Sequence, residues 1–423
     1  MARLGMFCFL GRGHLDPTAA LGRRLVSRGH HVTMFHLLIA QAAVRMAGLN
    51  FQAIDRLDSG TIVRQRHRRE WAPPLKFLST VSAIQSHAQH VLREGCDALR
   101  AANVDMVIAD QMDLAAGTVA EFLGLPFINV SCGPPVYLDE TVPAPYFGWS
   151  PASGPLASGR NRLGNSFIGM ALSPVMSVLN NQRRAWGLPD IRNLNGVFSK
   201  TAIITQLPQV LEFKRPCAPQ QLFYTGQFAD GYVRKAVEFP WNRLNGKPLI
   251  YASMGTIRNN LPWVFQRIAH ACGSFDVQLV LSLGAGAVRP ADLGPLPGDP
   301  IVVEYAPQID LIRKAALVIN CAGLNTTLDC VSSGVPMVAI PVAEDQPGIA
   351  ARIQHAEMGR VVPLRRLTVA SLRDAIRSVL DDPRYRASAR RLQLAVSKIN
   401  GPETAADIIE KALSGLRTID QPA

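Results

Sequence analysis

Short apolar runs alternate along the chain with segments whose apolar residues recur at helical spacing. The first run, RLGMFCFL at residues 3–10, is followed by a helical pattern that ends near Arg28. Asp16 and Pro17 have the character of an N-cap and a first-turn proline, so we predict that the helix begins there. Further strands are predicted at residues 30–36 and 104–110. Strands that alternate with helices in this way indicate parallel sheets with crossover helices.

A second series of the same kind begins beyond an irregular segment, residues 228–248, which carries proline and glycine. Its apolar runs are PLIYAS, VQLVLSL, PIVVEY, ALVIN and VPMVAIP, each followed by a turn and a helical pattern. A chain of 423 residues is too long for one ordinary core. We therefore predict two α/β domains with doubly wound parallel sheets, residues 1–235 and 236–400, and an amphipathic helix within residues 401–423.

The excess of basic over acidic residues restricts the kinds of partner that we expect for the chain. The net charge of +12 suits an anionic ligand or an anionic membrane face. The densest basic run, RQRHRRE at residues 64–70, has no interleaved aromatic residues that could stack on bases, so no nucleic acid is expected. This run is either a solvated loop or a contact with lipid head groups. The composition does not indicate an oligomeric state.

Cysteine usage and the N-terminus predict a cytoplasmic setting, with peripheral association at the inner membrane face left open. The seven cysteines are odd in number and include no C-x-x-C pair, so neither a disulfide framework nor a zinc site is expected. The N-terminal apolar run is typical of a first strand and not of an export signal. No run approaches the about 20 apolar residues needed to span a bilayer.

The most apolar helical stretch lies between the two series of strands. It covers residues 161–189 and ends in Arg183, Arg184 and Trp186 before a glycine. An ordinary buried helix, the wall of a lipophilic acceptor pocket and a face that rests on a membrane are all compatible with it.

Ligands of doubly wound sheets bind at the carboxyl ends of the strands, which directs attention to His14 and Asp110. His14 lies in the turn after the first strand, and Asp110 ends a later strand of the same predicted sheet. An imidazole titrates near neutrality and could act as a general base, with a carboxylate fixing its tautomer. Asp113 is a rival for that carboxylate. A surface-turn histidine and a helix N-cap are the plainer interpretations. The turn GRGHLDP lacks the third glycine of a dinucleotide fingerprint, which argues against an oxidoreductase.

Two turns of the second half have the form of phosphate sites. VINCAGLNTTLDC, residues 318–330, is a strand that opens through Gly323 into a helix, and YASMGT, residues 251–256, ends in a similar turn. Backbone N–H groups and the helix dipole hold phosphate at such places. Gly255 and Thr256 are candidate contacts, and the two turns on one sheet favour a diphosphate.

A longer segment carries a family resemblance. It runs from Tyr305 to Ala351: YAPQIDLIRKAALVINCAGLNTTLDCVSSGVPMVAIPVAEDQPGIAA. Its order, aromatic-A-P-Q, G-x-N-[ST]-x-x-[ED], G-V-P and D-Q, resembles the nucleotide-sugar motif of the UDP-glycosyltransferases, the family-1 inverting enzymes of GT-B fold. GHLDP and the strand that ends at Asp110 match the same family. Within it, AGLNTTLD and EDQPGIAARI are most similar to the bacterial zeaxanthin (carotenoid) glucosyltransferases.

The resemblance implies a GT-B fold, with two Rossmann-like domains facing across a cleft and the C-terminal helix returning to the N-terminal domain. It also implies a metal-independent UDP-dependent hexosyltransferase, with UDP-glucose as the expected donor substrate and no permanently bound cofactor. The expected acceptor is a lipophilic hydroxylated small molecule such as a carotenoid.

The roles implied for individual residues follow the motif. His14 would be the base that deprotonates the acceptor, with Asp110 as its partner. Tyr305 would stack on uracil, with Gln308 beside the nucleoside and Asp329 on the ribose. The diphosphate would be held by Asn325, Thr326 and Thr256, and the sugar by Asp345 and Gln346. The predicted donor site also includes Ser253, Gly255, Ala306, Cys321 and Gly323.

Cys321 departs from the family, which generally has a histidine that donates to the diphosphate at this position. A thiol is a weaker donor, and loss of an oxyanion-type contact costs roughly 2–4 kcal/mol. The sequence has no D-x-D pair to bring a metal to the leaving group. Two alternatives therefore stay open: a weakened homologue that binds a UDP-sugar or a lipophile, and a GT-B-fold sugar-nucleotide epimerase.

Overall fold

The structure is a computed structural model that describes residues 1–54, 73–231, 237–255, 260–284 and 288–417. The strands are β1 Arg3–Phe7, β2 His31–His36, β3 Asn50–Ala53, β4 Met106–Asp110, β5 Phe127–Ser131, β6 Ile203–Thr205, β7 Leu222–Tyr224, β8 Leu249–Ser253, β9 Gln278–Ser282, β10 Ile301–Val303, β11 Ala315–Asn320, β12 Met337–Ala339 and β13 Gly359–Val361. The α-helices are α1 Arg12–Ser27, α2 Gln41–Met46, α3 Pro73–Ala101, α4 Ala116–Phe122, α5 Pro155–Ala171, α6 Ser173–Ala185, α7 Pro262–Cys272, α8 Gln308–Lys314, α9 Leu324–Ser333, α10 Gln346–His355, α11 Val369–Asp381, α12 Pro383–Val396 and α13 Gly401–Arg417.

The strands form two parallel sheets of the same doubly wound kind. One has seven strands in the order β3-β2-β1-β4-β5-β6-β7, and the other has six in the order β10-β9-β8-β11-β12-β13. In each sheet the chain first winds one way and then reverses, between β1 and β4 and between β8 and β11. The crevice at such a reversal, beyond the carboxyl ends of the strands, is where doubly wound folds bind their ligands. The predicted α/β class and the two parallel sheets are confirmed.

The start of α1 differs from the prediction. The helix begins at Arg12, with Gly11 as its N-cap at φ 119°, and not at Asp16–Pro17. Since Gly11 can adopt a positive φ, the chain turns directly from β1 into the helix. Pro17 then lies one turn inside and has no N–H for the carbonyl of Gly13 four residues earlier. That carbonyl accepts instead from Asn325 Nδ2 of the other sheet's domain, at 3.1 Å.

The apolar stretch at residues 161–189 is also different from the single helical pattern expected. It is divided between α5 and α6, which meet at Leu172. Pro174 stands at the beginning of α6, where its missing N–H is harmless, but it cannot continue the hydrogen-bond ladder of α5. No helix within the described residues is both long and apolar enough to cross a bilayer.

The last helix, α13, packs on the first sheet's helices. Ala405, Ala406 and Ile409 are fully buried in the same apolar cluster as Leu21 and Leu25 of α1. Ion pairs join the two helices at one end, where Arg28 contacts Glu403, Asp407 and Glu410. The predicted domain boundary at residues 235 and 236 lies outside the described residues and stays a prediction, as does any role of the basic run at residues 64–70.

Candidate active site

His14 and Asp110 meet at the reversal point of the first sheet. His14 lies in the first turn of α1, after β1, and Asp110 is the last residue of the neighbouring strand β4. The His14 Nδ1 and Asp110 Oδ2 atoms are 2.7 Å apart. The Asp110 side chain is fully buried, whereas about a quarter of the His14 side chain, 24%, is exposed. The Met112 N–H donates to the other carboxylate oxygen at 2.8 Å, which fixes the orientation of the carboxylate.

The environment of His14 favours its protonated form. Burial by itself lowers the pKa of His14, but the charge of Asp110 and the hydrogen bond to it outweigh this effect. The pKa of His14 is therefore raised well above its ordinary value of 6.5. With Nδ1 held by Asp110, Nε2 is the ring nitrogen left for a ligand.

Asp113, the rival carboxylate, has different partners. Its Oδ2 lies 3.0 Å from Nε2 of His87, and its Oδ1 accepts from the N–H groups of Ala115 and Ala116 at 3.2 and 3.1 Å. Asp113 thus stabilises the turn that leads into α4, whose N-cap is Ala115, and is the partner of a buried histidine. The carboxylate that contacts His14 is Asp110.

Cys132 is a neighbour of His14 that sequence reasoning missed. It follows β5, and its Sγ lies 3.6 Å from the His14 carbonyl oxygen and 3.4 Å from Thr18 Oγ1. The possible ligand atoms of His14, Asp110 and Cys132 all lie within 4.8 Å of one another. Burial, followed by the charge of Asp110, raises the pKa of the Cys132 thiol, so the sulfur is protonated at neutral pH. The feature of the sequence that could have revealed Cys132 is its position directly after a strand.

The reversal point of the second sheet is built by two turns with positive φ. Gly255, after β8, has φ 75°, and Ala322, after β11, has φ 60°. The Asn320 side chain stabilises the second turn by accepting from the Ala322 N–H at 2.6 Å. Gly323 is the N-cap of α9, so the N–H groups of that helix point into the crevice. Ser253 ends β8, and its hydroxyl accepts from the Gly255 N–H at 3.4 Å. Thr256 lies outside the described residues.

Cys321 is buried between these turns. A Cβ atom added to Gly255 would lie 3.4 Å from the Cys321 sulfur, and one added to Gly323 would lie 3.8 Å from it. Burial is the main cause that raises the pKa of the thiol to about 11. The sulfur is therefore a neutral thiol at neutral pH, which is a weak hydrogen-bond donor and a poor nucleophile.

Asn325 connects the two domains. Its Nδ2 donates to the Gly13 carbonyl at 3.1 Å, and its Oδ1 accepts from Gln206 Nε2 at 2.9 Å. Gln206 follows β6 and also donates to the Cys132 carbonyl at 2.7 Å. The first turn of α9 is therefore aligned with the first turn of α1, which carries His14. Gln206 was missed because nothing near it in the chain indicates a partner 119 residues away.

A second group of polar side chains surrounds Asp329, on the next turn of α9. Gln308 Nε2 donates to Asp329 Oδ2 at 2.8 Å and lies 3.4 Å from the Thr326 hydroxyl. From the first domain, Gln227 Nε2 donates to Asp329 Oδ1 at 2.6 Å. Tyr305, with 41% of its surface exposed, stands just before α8, and Ala306 packs against the core beneath it. Gln227 was also missed by sequence reasoning.

Asp345 and Gln346 begin α10 and face the first domain. A Cβ atom on Gly133, which follows β5, would lie 2.9 Å from Asp345 Oδ2, so this approach depends on glycine. Burial first, and then the charge of Glu344, raise the pKa of Asp345 to about 6, although the charge of His14 opposes the rise. The Gln346 side chain accepts from the N–H groups of Val342 and Ala343, at 2.8 and 3.1 Å, and so shapes its own loop.

An ion pair buried between the domains fixes α10. Arg352 is fully buried and donates to Glu212 Oε1 through Nε at 2.8 Å and through Nη2 at 2.5 Å. Arg215 continues the network to Asp139 at 2.7 Å. The Arg352 guanidinium also lies over the Phe213 ring, 4.4 Å from its centroid. The helix that begins with Asp345 and Gln346 is thereby held at a defined position against the first domain.

The overall fold is a known one. The calicheamicin glycosyltransferase CalG4 superimposes with a TM-score of 0.77, covering 98% of both chains at 21% identity. The glycosyltransferase SsfS6 of Streptomyces sp. SF2575, solved in complex with thymidine diphosphate, gives a TM-score of 0.66 at 20% identity, covering 97% of this chain and 100% of its own. The protein has the GT-B fold, with two Rossmann-like domains.

Sequence comparison gives matches to UDP-dependent glycosyltransferases. The profile described as UDP-glucoronosyl and UDP-glucosyl transferase matches residues 194–398. The zeaxanthin glucosyltransferase of Pantoea ananas is 28% identical over 404 residues, which cover 95% of this chain and 93% of that protein. The profile match covers slightly less than half of the chain, and the protein is a UDP-dependent glycosyltransferase similar to bacterial enzymes of the natural-product type.

Proposed function

We propose that this enzyme transfers a hexose, with glucose expected, from a UDP-sugar to a hydroxyl group of a lipophilic small molecule, and that it inverts the anomeric centre. The observation that carries this proposal is the His14–Asp110 pair at 2.7 Å, set at the reversal point of one sheet opposite the turns of the other. A lipophilic acceptor such as a carotenoid is supported by the likeness to the zeaxanthin glucosyltransferase.

The reaction proceeds by a single displacement. Nε2 of neutral His14 takes the proton of the acceptor hydroxyl, and Asp110 stabilises the imidazolium that forms. The hydroxyl oxygen attacks the anomeric carbon while the bond from that carbon to the UDP oxygen breaks. Attack from the face opposite the leaving group produces inversion. The charge that develops on UDP is stabilised by the N-terminus of α9 and by the Asn325 and Thr326 side chains.

The donor residues act on separate parts of the UDP-sugar. Tyr305 and Gln308 bind the uridine, and Asp329, held by two amide groups, accepts hydrogen bonds from the ribose. Asp345 and Gln346 bind the sugar hydroxyls. His14, Asp110 and Cys132 together serve proton transfer. Asp110 is already hydrogen-bonded to His14, and the Cys132 thiol is protonated.

Release of UDP from UDP-glucose, with and without hydroxylated acceptors, tests the proposal. We expect release that depends on the acceptor and a product of inverted anomeric configuration by NMR. His14→Ala should lower kcat by about 10²–10⁴-fold. His270→Ala, at an exposed position on α7, is the matched control and should leave kcat unchanged. An unaffected His14→Ala rate would show that the base is wrongly assigned, and turnover of the donor without any acceptor would indicate an epimerase.

A weakened UDP-sugar-binding homologue is the second candidate, and Cys321 is the observation that favours it. The variant Cys321→His distinguishes the two. An increase in transfer rate, up to about 10²–10³-fold, would show an intact catalyst that lacks one donor at the diphosphate. A chain that binds UDP but transfers no sugar, with or without the histidine, would identify a binding protein.

A further inference from the structure

Helix α5 has two different apolar faces. One is buried against the first domain through Ala157, Gly164 and Ile168. The other faces solvent, although its side chains are large and apolar. This second face, called here the outer face, consists of Leu156, Leu163, Phe167 and Met170, with 92%, 75%, 49% and 68% of their surfaces exposed. At 3.6 residues per turn these four positions fall within an arc of about 60°.

The charged residues of α5 itself are both arginines, Arg160 and Arg162. Residues 141–189 contain four arginines, no lysine and no acidic residue. Two of these arginines are engaged elsewhere, because Arg183 is buried beside Glu121 and Arg184 pairs with Asp190. Arg160, on α5, lies over the Trp149 ring, 5.0 Å from its centroid, and Arg162 is largely exposed and paired with Glu140 just outside this segment. Large apolar side chains on one face, bordered by arginines, are typical of helices that lie in the interface of an anionic bilayer.

The outer face is also close to the cleft. On its inner side α5 rests on the stacked rings of Phe147 and Trp149, whose centroids are 4.2 Å apart. Between them, Gly148 is packed against Pro347, because a Cβ atom on it would lie 3.5 Å from the Pro347 Cβ. Pro347 directly follows Gln346. The layer formed by the Phe147 and Trp149 rings thus separates α5 from the predicted sugar-binding residues.

We propose that the outer face of α5 docks on an anionic lipid surface, from which the lipophilic acceptor enters the cleft. This inference rests on the proposed function for the nature of the acceptor. A second copy of the chain is the less favoured occupant. A two-fold contact would bring together two copies of α5, whose own charged residues are all arginines.

Flotation of the full-length protein with vesicles tests the docking surface. The vesicles are phosphatidylcholine alone or phosphatidylcholine with phosphatidylglycerol. We expect binding to the anionic vesicles that weakens as salt is raised, because the head-group attraction is screened. The triple variant Leu163→Gln, Phe167→Gln, Met170→Gln should bind at least about tenfold more weakly. Leu394→Gln is the matched control, since Leu394 is a 73% exposed leucine on α12 of the other domain.

Two further measurements separate the outcomes. UDP binding by the triple variant should equal that of the wild type, which shows that the variant is folded. Transfer to an acceptor embedded in anionic vesicles should fall with the triple variant, whereas transfer to a water-soluble acceptor should not. Equal flotation of the wild type and the triple variant would overturn the proposal, and so would a dimer in light scattering that the triple variant loses. Flotation by a chain that transfers no sugar would count against the proposed function and not against the docking surface.

Discussion

His14 and Asp345 are titratable side chains from different domains whose charges influence each other. His14 is a histidine with a pKa raised well above 6.5, and Asp345 is a carboxylic acid with a pKa raised to about 6. The first change keeps the proposed base protonated to higher pH. The second makes a proposed sugar ligand sensitive to mild acid. The two effects should be separable, because one concerns the rate of proton transfer and the other concerns donor affinity.

For His14, we predict that kcat rises with pH through a pKa above 6.5, since only the neutral imidazole can accept a proton. Asp110→Asn removes the charge that raises this pKa, while burial continues to lower it. The acidic limb of the kcat profile should therefore move to lower pH in this variant, and the maximal rate should also fall because the tautomer is no longer fixed. A limb that stays in place would mean that another group titrates.

For Asp345, we predict that the KM for the UDP-sugar rises as the pH falls below about 6. Protonation takes one hydrogen-bond acceptor from the carboxylate, so the sugar hydroxyls lose a partner. Asp345→Asn should have a raised KM that no longer changes across this pH range. If the KM of the wild type were flat from neutral pH down to pH 5, Asp345 would not be a ligand of the sugar.

Among the elements, α10 depends most on a buried charge. Arg352→Met removes the nearer cation of the buried Glu212 and leaves Arg215, 3.8 Å away. We predict a loss of about 3–5 kcal/mol in the free energy of unfolding, measured with urea. The double variant Arg352→Met, Glu212→Leu should recover part of that loss, because no uncompensated charge remains. A double variant as unstable as the sum of the two single variants would contradict this account.

The alternation of strands and helices was predictable because buried parallel strands are short, apolar and rich in β-branched residues. The errors arose where one residue has two physical interpretations. Asp16–Pro17 has the composition of a helix start, yet Gly11 allows the turn to begin earlier. Pro174 divides α5 from α6, but its effect is hidden in a sequence that is apolar on both sides.

The strand-end rule also located much of the candidate site. It directed attention to His14, Asp110 and the two glycine turns, because these positions follow strands. It could not identify Gln206 and Gln227. Their partners Asn325 and Asp329 lie more than 100 residues away, and such pairs are decided by how two domains pack and not by local pattern.

At the scale of the whole molecule, α13 should be essential for stability. We predict that a chain ending at residue 400 loses roughly 5–10 °C in Tm. Burial of the Ile409 and Leu413 side chains alone contributes about 1.5–3 kcal/mol each to the free energy of unfolding. The ion pairs of Arg28 are lost together with the helix. A chain ending after Arg417 is the length control for calorimetry. Equal Tm values for the two truncated chains would show that α13 adds nothing.

The missing N–H of Pro17 affects which halves of such enzymes can be joined in a chimera. Because the proline leaves the Gly13 carbonyl without a helical donor, the first domain supplies the acceptor that orients Asn325 in the second. The Asn325 Nδ2 atom carries a second hydrogen. Because the first hydrogen is bound to the Gly13 carbonyl, the direction of the second N–H bond is set by a residue of the opposite half. A chimera that joins this second half to a foreign first half would inherit the proposed donor residues without their alignment, unless the new half also carries proline at the position of Pro17 and an amide at that of Gln206. Compatible halves for glycosyltransferase engineering should be selected by these positions before overall similarity.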